Sequence, residues 1–167
     1  RRLKLDNASI SICNIDFNNW EDRKIQIQCL NNIAHLQPNL PKKSSQKRII
    51  LVRHGETDWN KQGRFQGQID IPLNQNGKAQ AQAASEFLKN IPIQKAFSSS
   101  LSRPRETAQI ILKNHPGIAI TIKDNLKEIG HGKWEGKLES EIKSDWPDLL
   151  ETWKISPEKV QMPEGEN

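Results

Sequence analysis

Arg53, His54 and Gly55 stand in direct succession and are followed by Glu56-Thr57-Asp58-Trp59-Asn60. A guanidinium is a planar fork of donors that matches phosphate oxygens. An imidazole beside it is a nucleophile available near neutral pH, and a glycine lets the backbone turn sharply and come close to a neighbour. Two more groups of the same chemical interest lie downstream, Arg103 in Ser100-Leu101-Ser102-Arg103 and Glu128 in Leu126-Lys127-Glu128. Phosphoryl transfer through a phosphohistidine needs this set. A ring nitrogen attacks phosphorus in line. Guanidinium groups hold the equatorial oxygens, over which charge spreads in the transition state. A carboxylic acid protonates the leaving oxygen, and a buried, apolar or anion-facing setting would raise its pKa into a useful range. Taken singly, each residue has an ordinary explanation: a helix-surface ion pair for Arg103, a loop carboxylate for Glu128, a polar strand end for Arg53 and His54. The chemistry depends on their convergence, and so on the elements that carry them.

Ile49-Ile50-Leu51-Val52, just before Arg53, is an apolar run of mostly β-branched residues and reads as a parallel strand buried on both faces. In open α/β sheets the carboxyl edge of such a strand is where ligands bind. After it comes a glycine-punctuated loop, Gly63 to Leu73, and then a helix capped by Asn74 and running to about Asn90. Ala79, Ala83, Ala84, Phe87 and Leu88 are its expected apolar face. Gln94 to Ser98 reads as a second parallel strand, which leads into a helix that holds Ala108, Ile111 and Leu112 inward and stops near Asn114, before Pro116-Gly117. Ile118 to Ile122 is a third strand. The loop Leu126 to Gly136 is too rich in glycine for a helix, and Leu138 to Trp153 reads as helical with a break near Pro147. Strand alternating with helix from Arg48 onward is the pattern of an α/β domain. Arg53 and His54, Arg103 and Glu128 then fall at strand ends on one edge.

Before this unit, residues 6–36 read as a β-hairpin, with Ala8, Ile10 and Ile12 alternating in one arm and Ile25, Ile27 and Cys29 in the other. Residues 37–47, with Pro38, Pro41 and a run of basic and serine residues, read as a linker. The charge run of Lys42, Lys43, Lys47 and Arg48 lacks interleaved aromatics for base stacking, so a solvated spacer is the reading preferred to a nucleic-acid arm.

Composition sets outer bounds. The chain has 167 residues, enough for one domain with a core, but only 34% are hydrophobic and the formal net charge is +5. Mean hydropathy is -0.77 and the pI about 9.3, a balance suited to an anionic substrate. No apolar run reaches the length of a membrane span, and the opening Arg1-Arg2-Leu3-Lys4 does not read as a signal peptide. Cys13 and Cys29 lack metal-ligand spacing and fit as small apolar strand residues, which makes a cytoplasmic setting the default. The absent initiator methionine and the ending at Glu164-Gly165-Glu166-Asn167 suggest a fragment.

The sequence from Arg48 resembles the histidine phosphatase superfamily, the group that includes cofactor-dependent phosphoglycerate mutases. Arg53 to Asn60 matches its nucleophile signature. Gly63-Arg64-Phe65-Gln66-Gly67 with Pro72-Leu73 matches its substrate loop, with Gln66 where Ser or Thr is common. Ser100 to Arg103 with Thr107-Ala108 matches its second-arginine motif, with Pro104 in place of Ala. Leu126, Glu128, Gly132, Trp134, Glu135 and Gly136 match its proton-donor loop, and Pro163 to Asn167 its Pro-x-Gly-Glu turn. The resemblance implies a three-layer α/β/α sandwich with a mostly parallel sheet, incomplete at the C-terminus and preceded by the hairpin. It implies that His54 is the nucleophile, that Arg53, Asn60 and Arg103 bind the phosphoryl group with help from Gln66 and Gly67, and that Glu128 is the general acid.

The expected substrate is a small phosphorylated metabolite, with no nucleic-acid or membrane partner. The expected reaction is hydrolysis, with phosphomutase transfer or phospho-ligand binding as alternatives. No cofactor or metal is expected, since two arginines and an imidazole neutralise the phosphoryl charge and no carboxylate cluster resembles a metal cradle. The family's second histidine follows the Pro-x-Gly-Glu turn, beyond Asn167, and His131 lies in the wrong motif to replace it. Residues 1–36 resemble the closing hairpin of such a domain, so the parent would be a tandem protein whose second unit spans residues 48–167. Docking of that hairpin on the second unit is within reach of the linker at about 3.3 Å per extended residue.

Overall fold

The computed structural model describes residues 7–15, 25–32 and 47–166. Three strands come first: β1 (Ile10–Ile15), β2 (Ile25–Asn32) and β3 (Lys47–Val52). β1 and β2 form the expected antiparallel hairpin, with Cys13 opposite Ile27 and Ile15 opposite Ile25 and an irregular register nearer Ile10. Residues 33–36 and 37–46, the end of the expected hairpin and most of the expected linker, lie outside the described residues.

β3 departs from expectation. It pairs antiparallel with β1, Ile10 opposite Val52 and Ile12 opposite Ile50, so the order is β2-β1-β3. Its burial alternates: Ile50 and Val52 are half-buried, while Ile49 is 39% and Leu51 53% exposed. An apolar β-branched run reports that a strand forms, but not which of its faces a helix will cover. Here Ile50 and Val52 pack toward α2 and α3, and the odd-numbered positions face away.

The remainder is the expected α/β/α arrangement of strands flanked by helices. A one-turn helix α1 (Asp58–Gln62) follows β3, and α2 (Gln75–Leu88) follows the glycine-punctuated loop. Asn74 caps α2 as expected, its Oδ1 accepting from the Gly77 amide at 2.8 Å. The buried stripe of α2 is Gly77, Ala81, Ala84, Ser85 and Leu88, whereas Ala79 is exposed and Ala83 only half-buried. Alanines crowded at positions 79, 81, 83 and 84 make two faces look apolar. The face that packs is the one against α3, where Ser85 Oγ donates to the Ile111 carbonyl at 3.1 Å. β4 (Ala96–Ser98) pairs in parallel with β5 (Ile120–Ile122), and α3 (Ser102–Leu112) lies between them in sequence. Ile111 is buried; Ala108 and Leu112 are half-buried.

A 3-10 turn at Asp124–Leu126 leads into the loop expected from Leu126 to Gly136, and a second at Gly132–Trp134 lies within it. α4 (Glu139–Asp145) and α5 (Pro147–Ile155) meet at Trp146, and Pro147 opens α5, where its missing N–H costs nothing. Two hydrophobic clusters are formed among the described residues. One joins Ile10 and Ile12 of β1 to Ala84, Leu88 and Ile111 of the helices. The other joins Trp134, Ile142, Leu150, Trp153, Val160 and Met162. A fully buried leucine or isoleucine in either contributes roughly 1.5–3 kcal/mol.

Candidate active site

His54 lies where β3 runs out into the loop, and its ring is held from one side. Nδ1 lies 2.7 Å from the Gly55 carbonyl oxygen. A carbonyl can only accept, so Nδ1 carries the proton and Nε2 keeps its lone pair. The imidazole pKa is pushed from 6.5 down to about 4. Burial is the main cause; the bond to Gly55 opposes it, and the cations Arg53 and Arg103 add to it. At neutral pH the ring is an uncharged base with one nitrogen available.

The backbone around it is fixed by close approach. A Cβ on Gly55 would fall 2.3 Å from the carbonyl oxygen of Gly77, and one on Gly77 would fall 2.1 Å from that of Glu56. The loop after β3 therefore sits directly on the first turn of α2, and neither chain has room for a side chain there. The Gly55 amide donates to Thr107 Oγ1 at 3.1 Å, and that hydroxyl donates back to the Arg103 carbonyl at 2.8 Å. Thr107 thus ties the histidine loop to the helix that bears the second arginine.

Arg53 is half-buried, and its Nη1 donates to Asn7 Oδ1 from the segment before β1. Asn60 Oδ1 accepts from the Thr57 amide and hydroxyl, both at 3.1 Å, and from Asn7 Nδ2 at 3.3 Å. The Asn60 amide in turn donates to Thr57 Oγ1, so Thr57 and Asn60 cap α1 reciprocally. The buried Thr57 hydroxyl also lies 2.8 Å from Gln66 Oε1, its one proton shared between that oxygen and Asn60 Oδ1, which brings the Gly63–Gly67 loop to the loop after β3.

Arg103 is 1% exposed, in the first turn of α3. Its Nη2 and Nη1 donate to the carbonyls of Gly67 at 2.6 Å and Ile69 at 3.1 Å, while Nε is buried with no partner among the described residues. Burial lowers its pKa; the carboxylates of Asp70, Glu128 and Glu135 oppose that, and Arg53 adds to it. Asp70 also caps α3, accepting from the Ser102 amide and hydroxyl at 2.7 and 2.8 Å. Glu135 fastens the opposite side of the loop, accepting from the amides of Gln68, Ile69 and His131 at 2.9, 2.7 and 3.0 Å. Gly67 is wedged in between: a Cβ there would lie 2.2 Å from Glu135 Oε1.

Glu128 is exposed, and its carboxylate acts electrostatically on Arg103. Its backbone carbonyl accepts from Gln68 Nε2 at 3.3 Å. The Pro163–Glu166 turn closes on the same loop, Glu166 accepting from the Gly130 amide at 2.9 Å and from Gln68 Nε2 at 3.0 Å. His131 is buried among aromatic rings, edge-on to Phe65 and Trp153 at centroid distances of 5.8 and 5.3 Å.

Arg53, His54 and Arg103 thus lie near enough to act on one another's charge. Asn60, Gln66 and Gly67 are linked to them through Thr57 and Arg103, and Glu128 stands at the exposed side. Asn7, Thr107, Asp70 and Glu166 contribute to the site without a role assigned to them from sequence. Thr107 and Glu166 stand inside motifs that resemble the family's, and Asn7 in the stretch that resembles its closing hairpin; Asp70 carried no such signal. No group of His, Cys, Asp and Glu that could hold a metal occurs among the described residues, and none of their helices is long and apolar enough to cross a membrane.

The ends of β3 and α3 thus bring an imidazole and two guanidinium groups within electrostatic reach of one another. Residues 49–167 match the histidine phosphatase superfamily (branch 1), and the chain belongs to that family. It is 34% identical over 120 residues to phosphoserine phosphatase 1 of Hydrogenobacter thermophilus, a match covering 72% of this chain and 56% of that protein. It is 31% identical over 113 residues to 2,3-bisphosphoglycerate-dependent phosphoglycerate mutase 2 of Gloeobacter violaceus, covering 66% and 52%. Among solved structures, YhfR of Bacillus stearothermophilus superposes with a TM-score of 0.64 at 33% identity, over 68% of this chain and 56% of that one. The chain spans about half the length of the curated relatives it matches.

Proposed function

We propose that this chain carries the nucleophile half of a phosphohistidine-forming phosphatase acting on a small phosphorylated metabolite. The observation that supports it is an uncharged imidazole, Nδ1 tied to Gly55 and Nε2 open, beside two cations. One of these, Arg103, is buried with an N–H that has no partner among the described residues. A buried guanidinium N–H left unmatched beside an imidazole lone pair suits an incoming phosphoryl oxygen. In the first step Nε2 of His54 attacks phosphorus, the P–O bond to the leaving group breaks, and Glu128 supplies the proton that the departing oxygen takes up. In the second, water attacks the phosphohistidine, the P–N bond breaks, and the water proton returns to Glu128. Arg53 and Arg103 Nε hold the equatorial oxygens in both steps, and the Asn60 Nδ2 donor adds to them.

A substrate hydroxyl in place of water would make the same machinery a phosphomutase, and the names of relatives include both activities. Hydrolysis is the preferred reading because only α4, α5 and one turn separate the Glu128 loop from the Pro163–Glu166 turn, with no long insertion over the site. No metal or cofactor is required, and the setting proposed is the cytoplasm. The test is incubation with a radiolabelled phosphodonor. An acid-labile label is expected on the wild-type chain and none on His54→Ala; label that persists in the variant overturns the assignment.

A further inference from the structure

The segment before β1 reaches the site from 46 residues away in sequence. The β1–β3 ladder does not stop where the strands do. It continues as Arg53 N–H to the Ser9 carbonyl at 3.0 Å and Ala8 N–H to the His54 carbonyl at 3.1 Å. The residues on either side of the nucleophile's peptide are therefore stitched to the hairpin arm. Ala8 then takes a left-handed φ of 56° and is fully buried. That turn ends the extended run and leaves the Asn7 carboxamide between two site residues, its Oδ1 accepting from Arg53 Nη1 and its Nδ2 donating to Asn60 Oδ1 at 3.3 Å. A single planar amide thus spans the guanidinium just after β3 and a carboxamide of α1.

We infer that Asn7 is a positioning residue, which fixes the Arg53 fork and the Asn60 side chain in one orientation, so that the hairpin segment is part of the anion site. The inference rests on the phosphate-binding reading above for its consequence, though not for its geometry. A fork held before the ligand arrives loses less freedom on binding than one that is free to rotate.

The test uses the 167-residue chain as wild type, Asn7→Ala and Asn7→Asp, each first compared by thermal melting. In the ligand-free proteins, ¹⁵N NMR of the guanidinium of Arg53 is expected to show faster Nη rotation in Asn7→Ala than in wild type. Identical rotation in both overturns the inference. Titration with orthovanadate is expected to show affinity about tenfold weaker for Asn7→Ala. Asn7→Asp keeps the acceptor for Arg53 but removes the donor to Asn60 and adds a negative charge, so Arg53 should rotate no faster than in wild type while vanadate affinity falls below that of Asn7→Ala. Either variant binding vanadate as tightly as wild type overturns the inference. A wild-type chain that binds no vanadate would count against the phosphohistidine reading, and the ligand-free NMR comparison would still decide the role of Asn7.

Discussion

Arg103 donates through Nη2 to the carbonyl of Gly67 at 2.6 Å, across 36 residues of sequence. The arginine expected to grip a phosphoryl group therefore also holds the loop that would lie over it, and only a planar fork can do both. Arg103→Lys keeps the charge but replaces the fork with one rotating ammonium. The expected result is loss of the loop tie together with about tenfold weaker orthovanadate binding or worse, read by calorimetric titration. Unchanged affinity would show that charge alone suffices at this position.

Gly67→Ala should fail for a different reason. The added methyl would lie 2.2 Å from Glu135 Oε1 and 2.9 Å from the His131 amide nitrogen, so the carboxylate that binds three loop amides has to move. Overpacking of this kind costs about 1–3 kcal/mol. A urea-melt midpoint equal to wild type would mean that the loop yields freely.

Thr107→Val removes a hydroxyl from a fully packed place and leaves a side chain of nearly the same volume. The Gly55 amide loses its partner, and a buried donor left unsatisfied costs about 1–3 kcal/mol. Denaturant melts give the stability change, and amide exchange at Gly55, faster in the variant, would locate it.

The pH dependence follows from His54. Its folded pKa, about 4, lies below the unfolded value of 6.5. Above pH 6.5 both states are neutral and pH has no effect through this group. As pH falls from 6.5 toward 4, the unfolded chain takes up a proton that the folded one refuses. Stability therefore declines across that window by up to about 3 kcal/mol, at ~1.4 kcal/mol per pH unit. Below about pH 4 this decline levels off. His54→Asn should flatten the curve in urea melts taken at successive pH values; an equal slope in the variant would assign the decline to other groups.

Local chemistry made most of the elements readable. Asn74 announces α2 by its capping side chain, Pro147 marks the break between α4 and α5, and Gly55 signals a close approach that the structure supplies through Gly77. What stayed hidden was decided by partners distant in sequence. Nothing in Ile49 to Val52 states that its neighbour is an antiparallel arm, since strand propensity carries no information on pairing or on which face is covered. The crowded alanines of α2 left its packed face ambiguous, and only the elements it packs on, β1 and α3, settle that Ala81 is buried and Ala79 is not. Within the site, Arg53, His54 and Arg103 could be singled out because their chemistry is unusual at a strand or helix end. Asn7 and Asp70 could not, for an asparagine or aspartate in a turn is ordinary until its partner is seen.

Ile10 and Ile12 are completely buried against Ala84, Leu88 and Ile111. A chain trimmed to begin at β3, as a boundary drawn through the proline-rich stretch would invite, would open a greasy trench along α2 and α3 and strip the backbone partners from one side of β3. Such a shortened protein should be recovered from expression as aggregate, whereas trimming that spares residues 7 to 32 should not have that effect.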